Sequence, residues 1–287
     1  MNNAKLADQI DTFIVTRRAN GLAPRTVEWY AWTLGQFSKY VNGNTPTREL
    51  CRTFIANMQE RGLSAYTIRN TVRVLKVFFR WCVAEGLIET NPTDSLKIPK
   101  TPKRVPRGIL QEDLRGLLAV ANERDRAILL VLADCGVRVG ELCGMKISEL
   151  DLPGKTISVI GKGDRERFVF LSPITCKAIE QWVAVRTSNS PYLFVSEQGN
   201  RFCPNTVTQI LRRLGKRAGI RGRCNPHSFR HAFARDYLMN GGDLASLSLQ
   251  LGHTDIQTTM IYSMFLTAEL REKHARHSPL SNFKLRN

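Results

Sequence analysis

Arg138, Lys162, His227, Arg230, His253 and Tyr262 follow one another through the second half of a 287-residue chain. They stand in the segments CGVRVGE, IGKGDRER, HSFRH, LGH and TTMIYS. A phosphodiester resists attack because it is already negative and its alkoxide leaving group is poor. Breaking it takes donors for the non-bridging oxygens, a nucleophile, and a proton for the departing oxygen. Arginine suits the first task, since its planar fork can hold two phosphate oxygens at once. A tyrosine late in the chain can attack. The set suggests an enzyme that cuts and rejoins DNA through a covalent phosphotyrosine link. No cluster of Asp and Glu suggests a two-metal site, so neither a metal nor another cofactor is expected.

Taken singly, each residue has a plainer reading. One arginine in a helical protein is usually solvated or salt-bridged. His227 and His231 stand at i and i+4, the spacing of a zinc pair, but no Glu lies between them as in H-E-x-x-H and no third ligand is near. His253 after Gly252 could cap a helix, and Tyr262 could be a buried aromatic with one hydrogen bond.

The elements that must position these groups divide near IPKTPKRVPR, where three prolines and four basic residues interrupt two helical patterns. The expected division is a helical domain over 1–98, a linker over 99–107 and a second domain over 108–287, with a tail from about 265. Four helices are predicted in the first part: Ala4–Arg18, one after Pro24, Thr47–Glu60, and one after Ser64. In the second helix Val27, Tyr30, Leu34, Phe37 and Val41 share a face; in the fourth Ile68, Val72, Leu75 and Phe79 do. Arg69, Arg73, Lys76 and Arg80 repeat that last spacing one residue later, a basic row with no interleaved acids that suits a phosphate-tracking surface.

Beyond the linker, helices are predicted at Glu112–Ala121, Asp125–Cys135, Pro173–Arg186, Asn205–Ala218, His227–Met239, Asp243–Leu251 and Ile256–Met264. KISELDLPGKTISVIGKGDRERFVFL reads as a small antiparallel sheet, with Ile157–Ile160 and Arg167–Leu171 as strands around a Gly-Lys-Gly-Asp turn. A second basic patch, Arg212, Arg213, Lys216, Arg217, Arg221 and Arg223, precedes HSFRH and is expected at DNA backbone or bases.

Composition agrees. Lys plus Arg number 42 against 25 Asp plus Glu, a net charge of +17, which points to a polyanionic partner, nucleic acid first. No stretch approaches the roughly 20 apolar residues of a membrane span, and MNNAKLADQIDTF lacks a signal peptide's apolar core. The seven cysteines never form C-x-x-C, and most read as small core residues in a reducing cytoplasm.

Together these segments resemble the tyrosine recombinase (phage-integrase) family along nearly the whole chain. CGVRVGELCGMKISELDL is similar to the family's first arginine motif, with Arg138 as the catalytic arginine and Glu141 as its accessory acid. GKGDRERFVFL matches the hairpin that carries the lysine, here Lys162. NPHSFRHAFA is similar to the H-x-x-R box, giving His227 and Arg230, and LQLGHTDIQTTMIYS to the last box, with His253 nine residues before Tyr262. GLAPRTVEWYAWTLGQF, LSAYTIRNTVRVLKVFFRW and GLIETNP look like the family's helical core-binding domain. Cys135 lies where many relatives have a hydroxyl, and Phe170 where a proline is common.

The resemblance implies a mainly α fold: a four-helix, SAM-like core-binding domain and a mainly helical catalytic domain with a small antiparallel sheet, forming a clamp around DNA. It implies a 3′-phosphotyrosine at Tyr262, charge neutralisation by Arg138, Arg230 and His253, Lys162 as general acid, and His227 assisting proton transfer or positioning the phosphate. It further implies a Holliday junction, a homotetramer on two specific sites (monomer or weak oligomer when free), a tail docking on a neighbour, and accessory proteins. With no further module ahead of the core-binding domain, a simple recombinase of the Xer type or one encoded by a mobile element is expected. The rival readings are a type IB topoisomerase and a catalytically silent DNA-binding protein of the same fold.

Overall fold

The computed structural model describes residues 3–100, 107–161, 165–253 and 255–266, with 274 and 278 besides. The chain divides into two compact units, Met1–Lys103 and Arg104–Asn287.

The first unit is built from α1 (Asn3–Ala19), α2 (Pro24–Val41), α3 (Arg48–Glu60) and α4 (Ala65–Ala84). Local chemistry marks their ends. Pro24 opens α2 in the first turn, where a missing N–H does no harm. Thr47 and Ser64 accept hydrogen bonds from Leu50 N and Thr67 N as caps of α3 and α4, each contributing about 1 kcal/mol. The face of α4 anticipated from its spacing is inside: Ile68, Val72, Leu75 and Phe79 are buried, and Phe78 beside them. Phe13, Phe37, Phe78 and Phe79 meet in edge-to-face pairs, and burial of each ring favours the fold by roughly 1.5–3 kcal/mol. The basic row on α4 is uneven. Arg73 and Arg80 are exposed, while Arg69 and Lys76 are half-buried and the Lys76 ammonium donates to the Asp94 carbonyl at 3.3 Å.

The second unit packs α5 (Gln111–Val120), α6 (Glu123–Cys135), α7 (Val139–Gly144), α8 (Pro173–Val185), α9 (Pro204–Arg217), α10 (Pro226–Met239) and α11 (Leu244–Leu251) around a three-stranded antiparallel sheet. Its strands are β1 (Leu150–Asp151), β2 (Thr156–Ile160) and β3 (Glu166–Phe170), in the order β1-β2-β3. Ile157 pairs with Val169 and Val159 with Arg167, so their side chains share one sheet face. α6 lies at the centre, Ala127–Leu132 being buried throughout. That explains why its sequence reads as a continuous apolar run rather than a stripe.

Two local expectations change. The short α7 has no signal of its own in the sequence beyond Glu141 in its first turn. The helix expected at Ile256–Met264 is instead a pair of 3₁₀ turns, Ile256–Thr258 and Met260–Leu266. Asp255 caps only the first turn, through Gln257 N, and the hydroxyl of the wholly buried Thr259 bonds the His253 ring rather than a backbone carbonyl. β-Branched and hydroxyl residues with such alternatives disfavour a regular α-helix. Most of the cysteines are core residues, as expected: Cys51, Cys82, Cys135, Cys143 and Cys176 are buried, with Cys224 half-buried and Cys203 exposed. Among the described residues no helix is long and apolar enough to cross a membrane.

Candidate active site

α6 ends at Gly136, whose φ of +58° supplies the left-handed stop that glycine adopts without strain. The turn brings Arg138 to the start of α7. One turn on, the Glu141 carboxylate reaches back: its Oε2 accepts from the Arg138 backbone N–H at 2.7 Å, and its Oε1 from Arg138 Nη1 at 2.8 Å. A third donor is Arg167 Nη2, at 3.0 Å from Oε2. Burial pushes the Glu141 carboxyl up, but Arg167 and Arg138 outweigh it and hold the group below the usual carboxylate range. At 4% exposure it is a buried anion between two guanidiniums.

Arg230, on the second turn of α10, is 7% exposed. Its Nη1 donates to the Gly136 carbonyl at 2.7 Å and its Nη2 to the Leu251 carbonyl at 2.8 Å. The head is thereby fixed between the C-termini of α6 and α11, where carbonyls left over by the helices favour a cation. Burial, then the neighbouring Arg138 charge, lowers its pKa to about 10; the group remains charged at neutral pH.

α11 ends at Gly252, also left-handed at φ +62°, and His253 follows. The Gly252 carbonyl accepts from Arg138 Nη2 at 2.9 Å, and His253 Nε2 lies 2.8 Å from Arg230 Nη2. Arginine can only donate, so Nε2 carries the lone pair and Nδ1 the proton, which goes to Thr259 Oγ1 at 2.7 Å. Burial, then Arg230, Arg138 and Arg167, lowers the His253 pKa to about 4. Arg138, Arg230 and His253 are thus joined through backbone and side-chain bonds although 115 positions separate the first from the last.

Tyr262 lies in the second 3₁₀ turn, 2% exposed, against Phe233, Ala234, Leu238, Leu247 and Leu251. Its hydroxyl is 2.7 Å from Nδ1 of His231. Burial raises its pKa, with Arg230 pulling the other way, so the phenol is protonated at rest. His227 is exposed in the first turn of α10, and its ring makes no hydrogen bond among the described residues. Lys162 lies outside the described residues, as does the tail beyond Leu266 apart from residues 274 and 278.

Three participants had not been singled out: Arg167, Thr259 and, as a partner of Tyr262, His231. Arg167 was detectable. Strand alternation puts it on the same face of β3 as the buried Val169, and a charge on an inward face needs a partner. The two departures from the family pattern meet each other, the Cys135 thiol donating to the Phe170 carbonyl at 3.4 Å. Of the α9 basic patch, Arg212, Lys216 and Arg217 are exposed. Arg213 is exposed too but pairs at 3.2 Å with Asp125, which is 2% exposed and also held by Arg124.

Residues 107–268 match the phage integrase family, and residues 10–89 match the phage integrase N-terminal SAM-like domain. Tyrosine recombinase XerA of Pyrococcus horikoshii is 32% identical over 271 residues, 93% of this chain and 92% of that one. Tyrosine recombinase XerD of Pseudomonas aeruginosa is 32% identical over 276 residues, 90% of this chain and 93% of its own length. Among solved structures, the XerH site-specific recombinase bound to a palindromic difH substrate, a post-cleavage complex, superposes with a TM-score of 0.75. It covers 90% of this chain and 82% of the other at 22% identity, a likeness of fold.

Proposed function

The chain belongs to the phage integrase family as a site-specific DNA recombinase of the Xer type, and we propose that it breaks and rejoins strands with Tyr262 as nucleophile. The observation that carries this assignment is the convergence of Arg138, Arg230 and His253 at the ends of α6 and α11, on the helix against which Tyr262 packs.

A scissile phosphate meets guanidiniums already oriented by Gly136, Leu251, Gly252 and Glu141, so little reorganisation accompanies charge build-up. Tyr262 Oη attacks phosphorus in line with the 5′ oxygen. The P–O5′ bond breaks, Lys162 protonates the departing oxygen, and a 3′-phosphotyrosine remains. The phosphoester bond is conserved in this link, so a 5′-hydroxyl from the partner strand reverses the step without an external energy source. His227, exposed in the first turn of α10, serves in this reading to position the DNA phosphate. Glu141 and Arg167 position Arg138.

Double-stranded DNA is the partner, contacted by Arg73 and Arg80 with the half-buried Arg69 and Lys76 beside them, and by Arg212, Lys216 and Arg217 on α9. Four copies act on two sites, exchanging strand pairs through a Holliday junction, with the C-terminal segment docking on a neighbour. The test is incubation with nicked duplexes drawn from DNA flanking the gene, followed by denaturing electrophoresis. An SDS-resistant protein–DNA band that Tyr262→Phe abolishes is expected. Tight binding of a well-sampled set with no band would favour a silent binder.

A further inference from the structure

Tyrosine attack requires a proton acceptor, and the side chain nearest the Tyr262 hydroxyl is not the histidine of the H-x-x-R box. We propose that His231 is the general base of strand cleavage, Nδ1 taking the proton of Tyr262 Oη as the phosphotyrosine forms. The assignment rests on Tyr262 being the nucleophile.

The geometry is direct. Oη and Nδ1 are 2.7 Å apart, and the two rings are tilted by 56° with centroids 5.8 Å apart. That separation lies within the reach a general base needs. His227, one turn earlier on α10, is exposed and has no such contact among the described residues. His231 directly follows Arg230, so one peptide unit fixes the base relative to a phosphate-holding guanidinium. The Tyr262 ring is enclosed by Phe233, Ala234, Leu238, Leu247 and Leu251, which keeps water from competing for Nδ1.

The protonation states agree. Burial first, then the charges of His227 and Arg230, lower the His231 pKa, so the ring is neutral at physiological pH. With its proton on Nε2, Nδ1 accepts from the phenol. As the Oη–P bond forms and P–O5′ breaks, the phenolic proton passes to Nδ1 while O5′ receives one from Lys162. Negative charge growing on the phosphate oxygens offsets the new imidazolium. On rejoining, the imidazolium returns its proton to the leaving Tyr262 oxygen, and Lys162 recovers its own from the attacking hydroxyl.

The experiment is single-turnover adduct formation on a nicked duplex that the wild type cleaves, with His231→Ala and His231→Gln. Gln is near imidazole in size and can hold the phenol, but it cannot take its proton. Both variants should form adduct about 10²- to 10⁴-fold more slowly, with DNA affinity unchanged. Added imidazoles should restore the Ala variant at rates that rise with the pKa of the base. Cleavage at or above the wild-type rate in either variant, or rescue independent of base pKa, would overturn the proposal and leave His231 as a resting contact. Should the Ala variant lose its fold, the Gln variant decides alone. Adduct persisting in Tyr262→Phe overturns the nucleophile assignment, whatever His231 does.

Discussion

Replacing Glu141 by Ala removes a carboxylate that spans two of the site's guanidiniums, and its consequences can be sized from the contacts. The bond to Arg167, whose side chain is 15% exposed, is charge-assisted and enclosed, contributing about 1.5–3 kcal/mol. The pair with Arg138 is weaker, because that side chain is 36% exposed and screening leaves about 0.5–1 kcal/mol. Losing the acceptor for the Arg138 backbone N–H at the start of α7 costs about 1 kcal/mol. Together the loss is about 3–5 kcal/mol, the range for opening a buried ion pair from one side. For a domain of this size it corresponds to roughly 10 °C in Tm. Urea and thermal denaturation of the Glu141→Ala protein read it directly. Glu141→Gln, which keeps one acceptor oxygen but turns an NH₂ toward arginine donors, should fall between. A loss under about 1 kcal/mol in the Ala variant would refute the view that Glu141 holds this cluster together.

Three further outcomes are expected. Gly136→Ala places a Cβ 2.3 Å from Phe233 Cδ1 in a left-handed turn, so it should destabilise by about 2–4 kcal/mol in urea denaturation and slow adduct formation by shifting the carbonyl that anchors Arg230. Arg217→Ala should leave the urea midpoint unchanged and lower the salt slope of DNA binding by about one, whereas Arg213→Ala should lower the midpoint too, because it loosens the buried Asp125. The folded His253 pKa of about 4 lies under the unfolded value of about 6.5. The unfolded chain therefore takes up a proton first, and stability present above pH 6.5 falls as the pH drops toward 4; His253→Gln should flatten that decline in urea midpoints between pH 7 and pH 4.

The sequence exposed what depends on regular spacing and hid what depends on close packing. The apolar faces of α2 and α4 were legible because Val27, Leu34, Phe37 and Val41, then Ile68, Val72, Leu75 and Phe79, recur at helical period. The hairpin of β2 and β3 was legible from β-prone runs around glycines. Arg138, Arg230 and His253 could be singled out as types, but not the carbonyls of Gly136, Leu251 and Gly252 that aim them, since any residue carries a carbonyl. The 3₁₀ geometry around Tyr262 escaped because it turns on the Thr259 hydroxyl bonding the His253 ring, a partner that no helical spacing announces. His231 was seen with His227 as an i, i+4 pair of zinc spacing. Its contact with Tyr262 spans 31 positions and exists only once the last turn folds back on α10.

Charge balance links these features. Among the described residues, Arg138, Arg167 and Arg230 bring three positive charges to the site, and the Glu141 carboxylate pairs with two of them. Burial first, and this surplus after it, lowers the pKa of Arg230 and keeps His253 neutral with its Nε2 lone pair turned to a guanidinium. A phosphodiester entering there offsets one charge and gives Arg138 and Arg230 a shared acceptor. It also raises the proton affinity of His253, which can then turn from accepting to donating. Whatever favours the occupied site over the empty one stabilises the folded domain by the same linkage. Glu141→Ala enlarges the surplus by one charge, so its stability deficit should shrink when duplex DNA carrying the cleavage site is added. Arg167→Ala reduces the surplus by one charge, and DNA should stabilise that variant less than the wild type. Equal DNA-dependent shifts in all three proteins would mean that the charges at this centre are balanced by groups other than the phosphate.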